Sequence, residues 1–333
     1  MIQFHRYSAI DADRQAAIDA RMYLWNRLTD DEVLTRLPDE LPKNWFYQQE
    51  IVSCIGRSLA WKKYQIDEEH YQLCRGLKSR EVEMPYSEKY AHLAEEVYYQ
   101  PRNSGLFSVI ENIIVADFHA RKNNRKLVLV GEGGWWNYEE EFSAIFPYEV
   151  RYSNRNMLSF EKMREDIFNA DIEEMSMFHT FKQKSYKNIY QSVCKFMEAG
   201  EWNLSCLFFF RGGDKLLTET ILPPDDVIRT DLKDVARRHE RRHIISDDYE
   251  LSKKILDMDN DLINLTQMSQ NGYHHVPGKK ISCLPILKNY VLLANATEAI
   301  ACPSANLANA AFWSKDAQFI YPTSNPVYRY ALI

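Results

Sequence analysis

Apolar residues recur along this chain in two rhythms, and the change from one to the other organises the reading. Over roughly the first 95 residues the spacing is three and four, the period of a half-buried helix. In "NWFYQQEIVSCIGRSLAWKKYQI" the residues Ile51, Cys54, Ile55 and Leu59 share one helical face. "DADRQAAIDARMYLWNRL" opens on Asp11 or Asp13 as an N-cap and continues in helix formers. "SEKYAHLAEEVYY" reads as a further helix of the same kind.

Beyond residue 100 short apolar runs begin to alternate with helical stretches. Gly105 opens a helix through Val109, Ile110, Ile113, Ile114 and Phe118, closed by the cationic turn "ARKNNRK". "LVLVGEGG" then reads as a buried parallel-type strand stopped by glycines. "SFEKMREDIFNADIEEM" and "KSYKNIYQSVCKFMEAG" are expected as two helices, the second ending at Gly200. From there "NLSCLFFF" and "HIISDD" read as strands, and "DVIRTDLKDVARRHERR" and "YELSKKILDM" as helices. "KNYVLLANATEAIACPSANLANAAFWS" reads as helix, strand, loop and helix. Alternation of this kind predicts an α/β fold with a parallel sheet covered on both faces. The chain has 333 residues, which favours two domains, with a boundary expected between about 155 and 195.

Composition narrows the picture. Apolar residues make up 45% and charged residues 26%, a globular balance. A net charge of −6 argues against a general nucleic-acid binder and leaves room for one basic cleft. No apolar run is long enough for a membrane span, and the start lacks the pattern of a signal peptide. The six cysteines form no zinc spacing and read as reduced thiols, so a cytoplasmic protein is expected. Aromatics reach 13%, which suits flat apolar ligands as well as a large aromatic core.

Ligands of open parallel sheets bind at the carboxyl ends of the strands, and chemistry gathers at such ends here. "FFFRGGDKLLTE" delivers Arg211, Asp214, Lys215 and Glu219 directly after an apolar run. A guanidinium offers a planar fork of donors to phosphate oxygens at any working pH, and Lys215 adds a compact cation. Gly212 and Gly213 permit close backbone approach to a ligand. Taken alone, the segment fits an ordinary strand exit with solvated charges better than a diphosphate grip, and it is not a Walker A loop. In "CPSANLANAA" Ser304 and Asn306 stand where an N-cap belongs, at a helix start that attracts anions. Asp247 and Asp248 suit hydroxyls, a base edge or a cation, or a plain cap before "YELSKKIL".

In their order, these segments resemble the GDP-fucose-dependent α1,6-fucosyltransferases, the family of the core N-glycan and nodulation-factor enzymes. The resemblance runs over about residues 105–315, and "RGGDKLLTE", "IISDD" and "ACPSANLANAAF" carry it. It implies a GT-B-like α/β architecture, two Rossmann-like domains facing a cleft with an extra N-terminal helical region. The expected division is a helical region at 1–95, an acceptor domain at 96–185 and a nucleotide-sugar donor domain at 186–333. It also implies an inverting, metal-independent transfer of fucose from GDP-fucose to a glycan, without cofactor. By position, Arg211 matches the arginine on the β-phosphate, Lys215 the family's lysine and Glu219 the general base. Arg211, Gly212, Gly213, Asp214, Asp247, Asp248, Asn289, Ser304, Ala305 and Asn306 line the implied donor site. The sequence departs from the family at three positions: where the family writes His-x-Arg-Arg, this chain has Phe209-Phe210-Arg211-Gly212, and the family's nucleotide-binding Asp before the last strand falls near Asn289. A transferase for another nucleotide sugar, or a non-catalytic nucleotide-sugar or glycan-binding relative, is the alternative.

Two further groups are candidates for acceptor contact. Trp135 and Trp136 follow a strand end and suit stacking on a sugar ring, as they do burial between domains. His274 and His275 lie in "YHHVPG", where adjacent histidines rarely ligate one metal alone. The basic run "KDVARRHERRH" contains Asp234 and Glu240 and is expected as a solvated helical face.

Overall fold

The computed structural model describes residues 16, 20, 28–42, 45–74, 95–101, 104–131, 145–146, 148–151, 157–159, 163, 172–197, 204–210, 225–266, 282–301 and 306–314. Three helices come first: α1 (Asp30–Arg36), α2 (Trp45–Tyr64) and α3 (Glu68–Cys74). A capping box starts α1. The Glu32 N–H donates to the Thr29 hydroxyl, and the Glu32 carboxylate accepts the Thr29 N–H at 2.7 Å. The expected apolar face of α2 is present, with Ile51, Val52, Ile55 and Leu59 buried. The helix is broken at Gly56, however, whose φ of 76° and ψ of 170° only glycine adopts without strain.

The stretch Glu95–Tyr99 is strand β1, not the end of a helix. Its pattern serves two faces: Val97 and Tyr99 enter the main core, while Tyr98 packs with Val128 and Val130 on the reverse. Val97, Tyr98 and Tyr99 are strand-favouring residues, and pairing with a neighbour overrides the helical spacing of the preceding segment. That neighbour is β2 (Arg125–Val130), which in turn pairs with β3 (Glu149–Arg151); both pairings are parallel. Helix α4 (Leu106–Lys122) links β1 to β2 as expected from Gly105, its N-cap residue. On the reverse face Arg151 donates to Glu96 (2.8 Å) and to Glu149, and Lys126 donates to Glu149 (2.7 Å). The hydrogen bonds from Tyr98 and Arg151 hold the Glu96 carboxyl below its usual range.

Ile172–Phe196 forms helix α5, which covers most of the second helix expected here and begins twelve residues before it; most of the first, residues 160–162 and 164–171, lies outside the described residues. The second sheet follows. It contains β4 (Leu204–Phe210), β5 (Arg242–Ser246), β6 (Leu262–Asn264) and β7 (Ala296–Ala301). Its order is β6-β5-β4-β7, and every pairing is parallel. The intervening helices are α6 (Asp225–Ala236), α7 (Tyr249–Leu256) and α8 (Leu284–Asn295), and α9 (Asn306–Ser314) comes after β7. The molecule is thus a mixed α/β protein with two parallel sheets, compatible with a Rossmann-like fold. Helix α6 is shorter than expected. It ends at Ala236, and Arg242 and His243 of the basic run are buried in β5 instead of lying on a solvated face. No helix among the described residues is long and apolar enough to cross a membrane.

Helices join the two sheets into one apolar cluster, which runs from Val97 and Leu127 to Phe208 and Ile244. A chain of polar contacts crosses this joint. The Tyr186 hydroxyl of α5 donates to Glu111 of α4 at 2.6 Å, and Lys182 pairs with the same carboxylate at 2.6 Å. Tyr290 of α8 and Ser314 of α9 share a hydrogen bond, and both hydroxyl oxygens lie close to the Tyr186 carbonyl, at 3.3 and 3.4 Å. The Lys182 ammonium stands 4.9 Å from the Trp313 ring centre. A hydrogen bond to a carboxylate contributes about 1.5–3 kcal/mol. Tyr186→Phe is therefore expected to lower the unfolding free energy by that order, read from urea unfolding, and an unchanged midpoint would count against the joint.

The same joint confers a pH dependence. His179 is 2% exposed; burial, and after it the Lys182 ammonium, pushes its imidazole down to about 3. Unfolding frees the ring to titrate near about 6.5, so the unfolded chain binds the extra proton. The stabilisation is complete above that value and is lost as pH falls from there toward the folded value. Between about pH 6 and pH 4, His179→Leu is expected to lose less stability than the wild type. The difference should reach up to about 1.4 kcal/mol per pH unit in urea unfolding.

Candidate functional site

The order β6-β5-β4-β7 means that the chain builds outward from β4 through β5 to β6, then crosses back to place β7 on the other side of β4. Such a reversal of strand order is a switch point, and open α/β sheets bind ligands in the crevice at the carboxyl ends of the strands there, here β4 and β7.

The register fixes what stands there. Phe210 is paired with Ser246, and Phe209 with both Ile245 and Ala301. The last residues of β5, β4 and β7 therefore lie side by side along one edge, spanning roughly 10 Å at ordinary strand spacing. Beyond them the chain continues into Arg211 after β4, Asp247 after β5 and Cys302 after β7. β4 is central because it is apolar on both faces. Phe208 and Phe210 stack on one side at 6.0 Å, Phe209 faces the other, and all are buried.

Asp248 is the N-cap of α7: its carboxylate accepts the Leu251 N–H at 3.0 Å, and its carbonyl accepts the Ser252 hydroxyl at 3.0 Å. Of the two readings of the pair, the cap holds for Asp248. Asp247 is half-buried, one position past the end of β5. Asn289 lies in the second turn of α8, about 7 Å along the helix from its start. Helix α8 leads directly into β7 and runs back along the sheet, so its first turns lie toward the carboxyl end. Asn289 is 4% exposed, and its Oδ1 is buried with no hydrogen-bond partner among the described residues, which is costly for an acceptor. Asn306 is the first residue of α9, whereas the sequence pattern placed it at the cap. Arg211, Gly212, Gly213, Asp214, Lys215, Glu219, Ser304, Ala305, Trp135, Trp136, His274 and His275 lie outside the described residues.

The opposite end of the sheet is closed by paired charges. Arg242, the first residue of β5, makes a bidentate contact with Asp259 at 3.1 and 3.2 Å. Glu298 of β7 receives Arg238 at 2.6 Å and His239 at 2.5 Å. Burial first, and then the Glu298 carboxylate, pushes the nearby Cys206 thiol up to about 12. Among the described residues no group of His, Cys, Asp and Glu is arranged to hold a metal ion.

Two residues at the crevice carried no sequence signal on their own: Ser246 and Thr266. Ser246 is buried and bonded to the ends of its neighbours, and a hydroxyl closing an otherwise apolar strand was the available cue. No protein-family model matches the chain, and no curated protein matches it.

An N-cap of this kind contributes about 1 kcal/mol. Asp248→Ala is expected to cost that much in urea unfolding, and Asp248→Asn much less, since the amide oxygen still accepts from Leu251. Equal losses in the two variants would contradict the cap.

Proposed function

We propose that this protein is an inverting glycosyltransferase of GT-B-like architecture that moves fucose from GDP-fucose to a glycan acceptor. One observation carries the reading. The parallel register lines up the ends of β5, β4 and β7, the strands from which "DD", "RGGDKLLTE" and "CPSAN" continue. These are the segments on which the likeness to the α1,6-fucosyltransferases rests.

In this reading residues 186–333 hold the donor and residues 96–185 face the acceptor, with the helices of 1–95 packed on the latter. Arg211 and Lys215 grip the diphosphate, and the N–H groups opening α9 add their partial positive charge. Glu219 takes the proton from the acceptor hydroxyl. The hydroxyl oxygen then bonds to the anomeric carbon on the face opposite the diphosphate. The bond from that carbon to the diphosphate oxygen breaks, and the configuration inverts. Negative charge gathers on the departing diphosphate, where the fixed cations meet it; one such donor typically counts for about 10²–10³ in turnover. Asp247 receives hydroxyls of the donor and Asn289 its base. Trp135, Trp136, His274 and His275 are assigned to the acceptor, and the reaction is placed in the cytoplasm.

A second reading has its own support. The family's nucleotide-contacting histidine is here Phe209, which is 2% exposed and belongs to the core of the sheet. That loss favours a donor with a different base.

Thermal unfolding with GDP, UDP, ADP and their sugars separates the readings. A bound nucleotide at about 100 times its dissociation constant adds about 2.7 kcal/mol. GDP alone is expected to stabilise if the donor is GDP-fucose, and another nucleotide alone if the base has changed. No stabilisation by any of them would remove the transferase reading. Given a productive donor, Arg211→Ala is expected to lose both nucleotide affinity and rate. Glu219→Gln should retain affinity and lose turnover by about 10²-fold or more. A Glu219→Gln enzyme with full turnover would exclude Glu219 as the base.

A further inference from the structure

Ser246 closes β5 and is 0% exposed. Its hydroxyl donates to the carbonyl of Phe210, the last residue of β4, at 2.9 Å. The same oxygen accepts the backbone N–H of Asp248 at 3.0 Å. Its own N–H donates to the Thr266 hydroxyl at 3.2 Å, beyond the point where the β5–β6 ladder ends at Ile244 and Asn264. Thr266 is itself held by its N–H on Asn264 Oδ1 at 2.9 Å. A single buried side chain thus ties the exit of β4 to the acidic turn after β5, and its backbone ties that turn to the segment after β6.

We propose that Ser246 is a positioning residue of the crevice, a role that rests on the crevice being a nucleotide site. The Phe210 carbonyl it holds belongs to the peptide that leads into Arg211. The Asp248 N–H it holds belongs to the peptide that leads out of Asp247. Ser246 thereby sets the separation between the last peptide of β4 and the turn at Asp247 and Asp248. Recognition of a nucleoside diphosphate depends on that separation, because cationic and hydroxyl-accepting groups must meet two parts of one ligand together.

The molecule contains its own control. Ser205 of β4 donates to the Arg241 carbonyl at 2.9 Å, just before β5 begins. This is the same kind of side-chain link between the same two strands, at the far end of the sheet, where no candidate site residue stands. Both serines contribute to the cohesion of β4 and β5, but only Ser246 lies at the carboxyl end of the strands, from which the candidate site residues continue.

The test is titration of the full chain with GDP, UDP and ADP, in the wild type, Ser246→Ala and Ser205→Ala, alongside thermal unfolding of each. Both variants are expected to melt below the wild type. Ser246→Ala should bind the nucleotide at least about tenfold more weakly, whereas Ser205→Ala should stay within about twofold. Should Ser246→Ala fail to fold, Ser246→Cys, near in volume and a weaker donor, takes its place with the same expected weakening. A Ser246 variant that binds within about twofold of the wild type overturns the positioning role and leaves the nucleotide site standing. Equal weakening in both serine variants also overturns it, because general loosening of the sheet then accounts for the effect. A wild type that binds none of GDP, UDP and ADP removes the nucleotide site, and this role with it.

Discussion

β4 is hydrogen-bonded to β5 on one side and to β7 on the other, both in parallel, and the rest of the molecule's second half is arranged around that double pairing. A strand buried on both faces and both edges must be apolar along its whole length. "LSCLFFF" comes close to this, its one polar residue being the half-buried Ser205, and the Ser205 and Ser246 hydroxyls bridge β4 and β5 at their two ends. Because parallel strands cannot be joined by tight turns, each connection is long and returns over a face. The reversal from β6 to β7 across β4 makes the boundary between β4 and β7 a switch point, where sheets of this kind bind ligands. Polar residues are excluded from the strand and collect where it stops. This is the physical reason that Arg211, two glycines and Lys215 follow Phe210 so abruptly.

The two ends of the sheet have opposite electrostatic characters. At the amino ends, Arg242 with Asp259 and Glu298 with Arg238 and His239 neutralise one another within the fold. Such pairs hold elements together and leave little charge for a ligand. At the carboxyl ends, Asp248 is spent on a helix cap and Asn289 keeps a buried oxygen with no donor among the described residues. Elsewhere the helical joint of Glu111, Lys182, Tyr186, Tyr290 and Ser314 pairs its polar groups across four helices.

The second sheet was largely legible from the chain. Apolar runs of strand length, bounded by charged or small residues, identified β4, β5 and β7, and helical spacing identified α6 to α9. The short strands β3 and β6 were missed because three residues give no period to read. Glu95–Tyr99 was misread because alternation over five residues competes with a helical pattern running into it, and only its partner β2 decides between them. Arg242 and His243 looked solvated because sequence shows a basic run and not the Asp259 carboxylate or the Cys206 carbonyl that receive them. For the site, the residue types were visible and their adjacency was not. That adjacency comes from strand order and register, which no local pattern encodes. The role of Ser246 was invisible for the same reason, since its partner Phe210 lies on another strand.

The central claim is that the crevice between β4 and β7 receives a nucleoside diphosphate. A crystal structure of the protein grown with GDP tests it most directly. The expected result is a diphosphate lying across the carboxyl ends of β4 and β7, with the Arg211 guanidinium on its oxygens and the first turn of α9 directed at it. A diphosphate bound elsewhere, or an Arg211 side chain turned away from that crevice, would contradict the account.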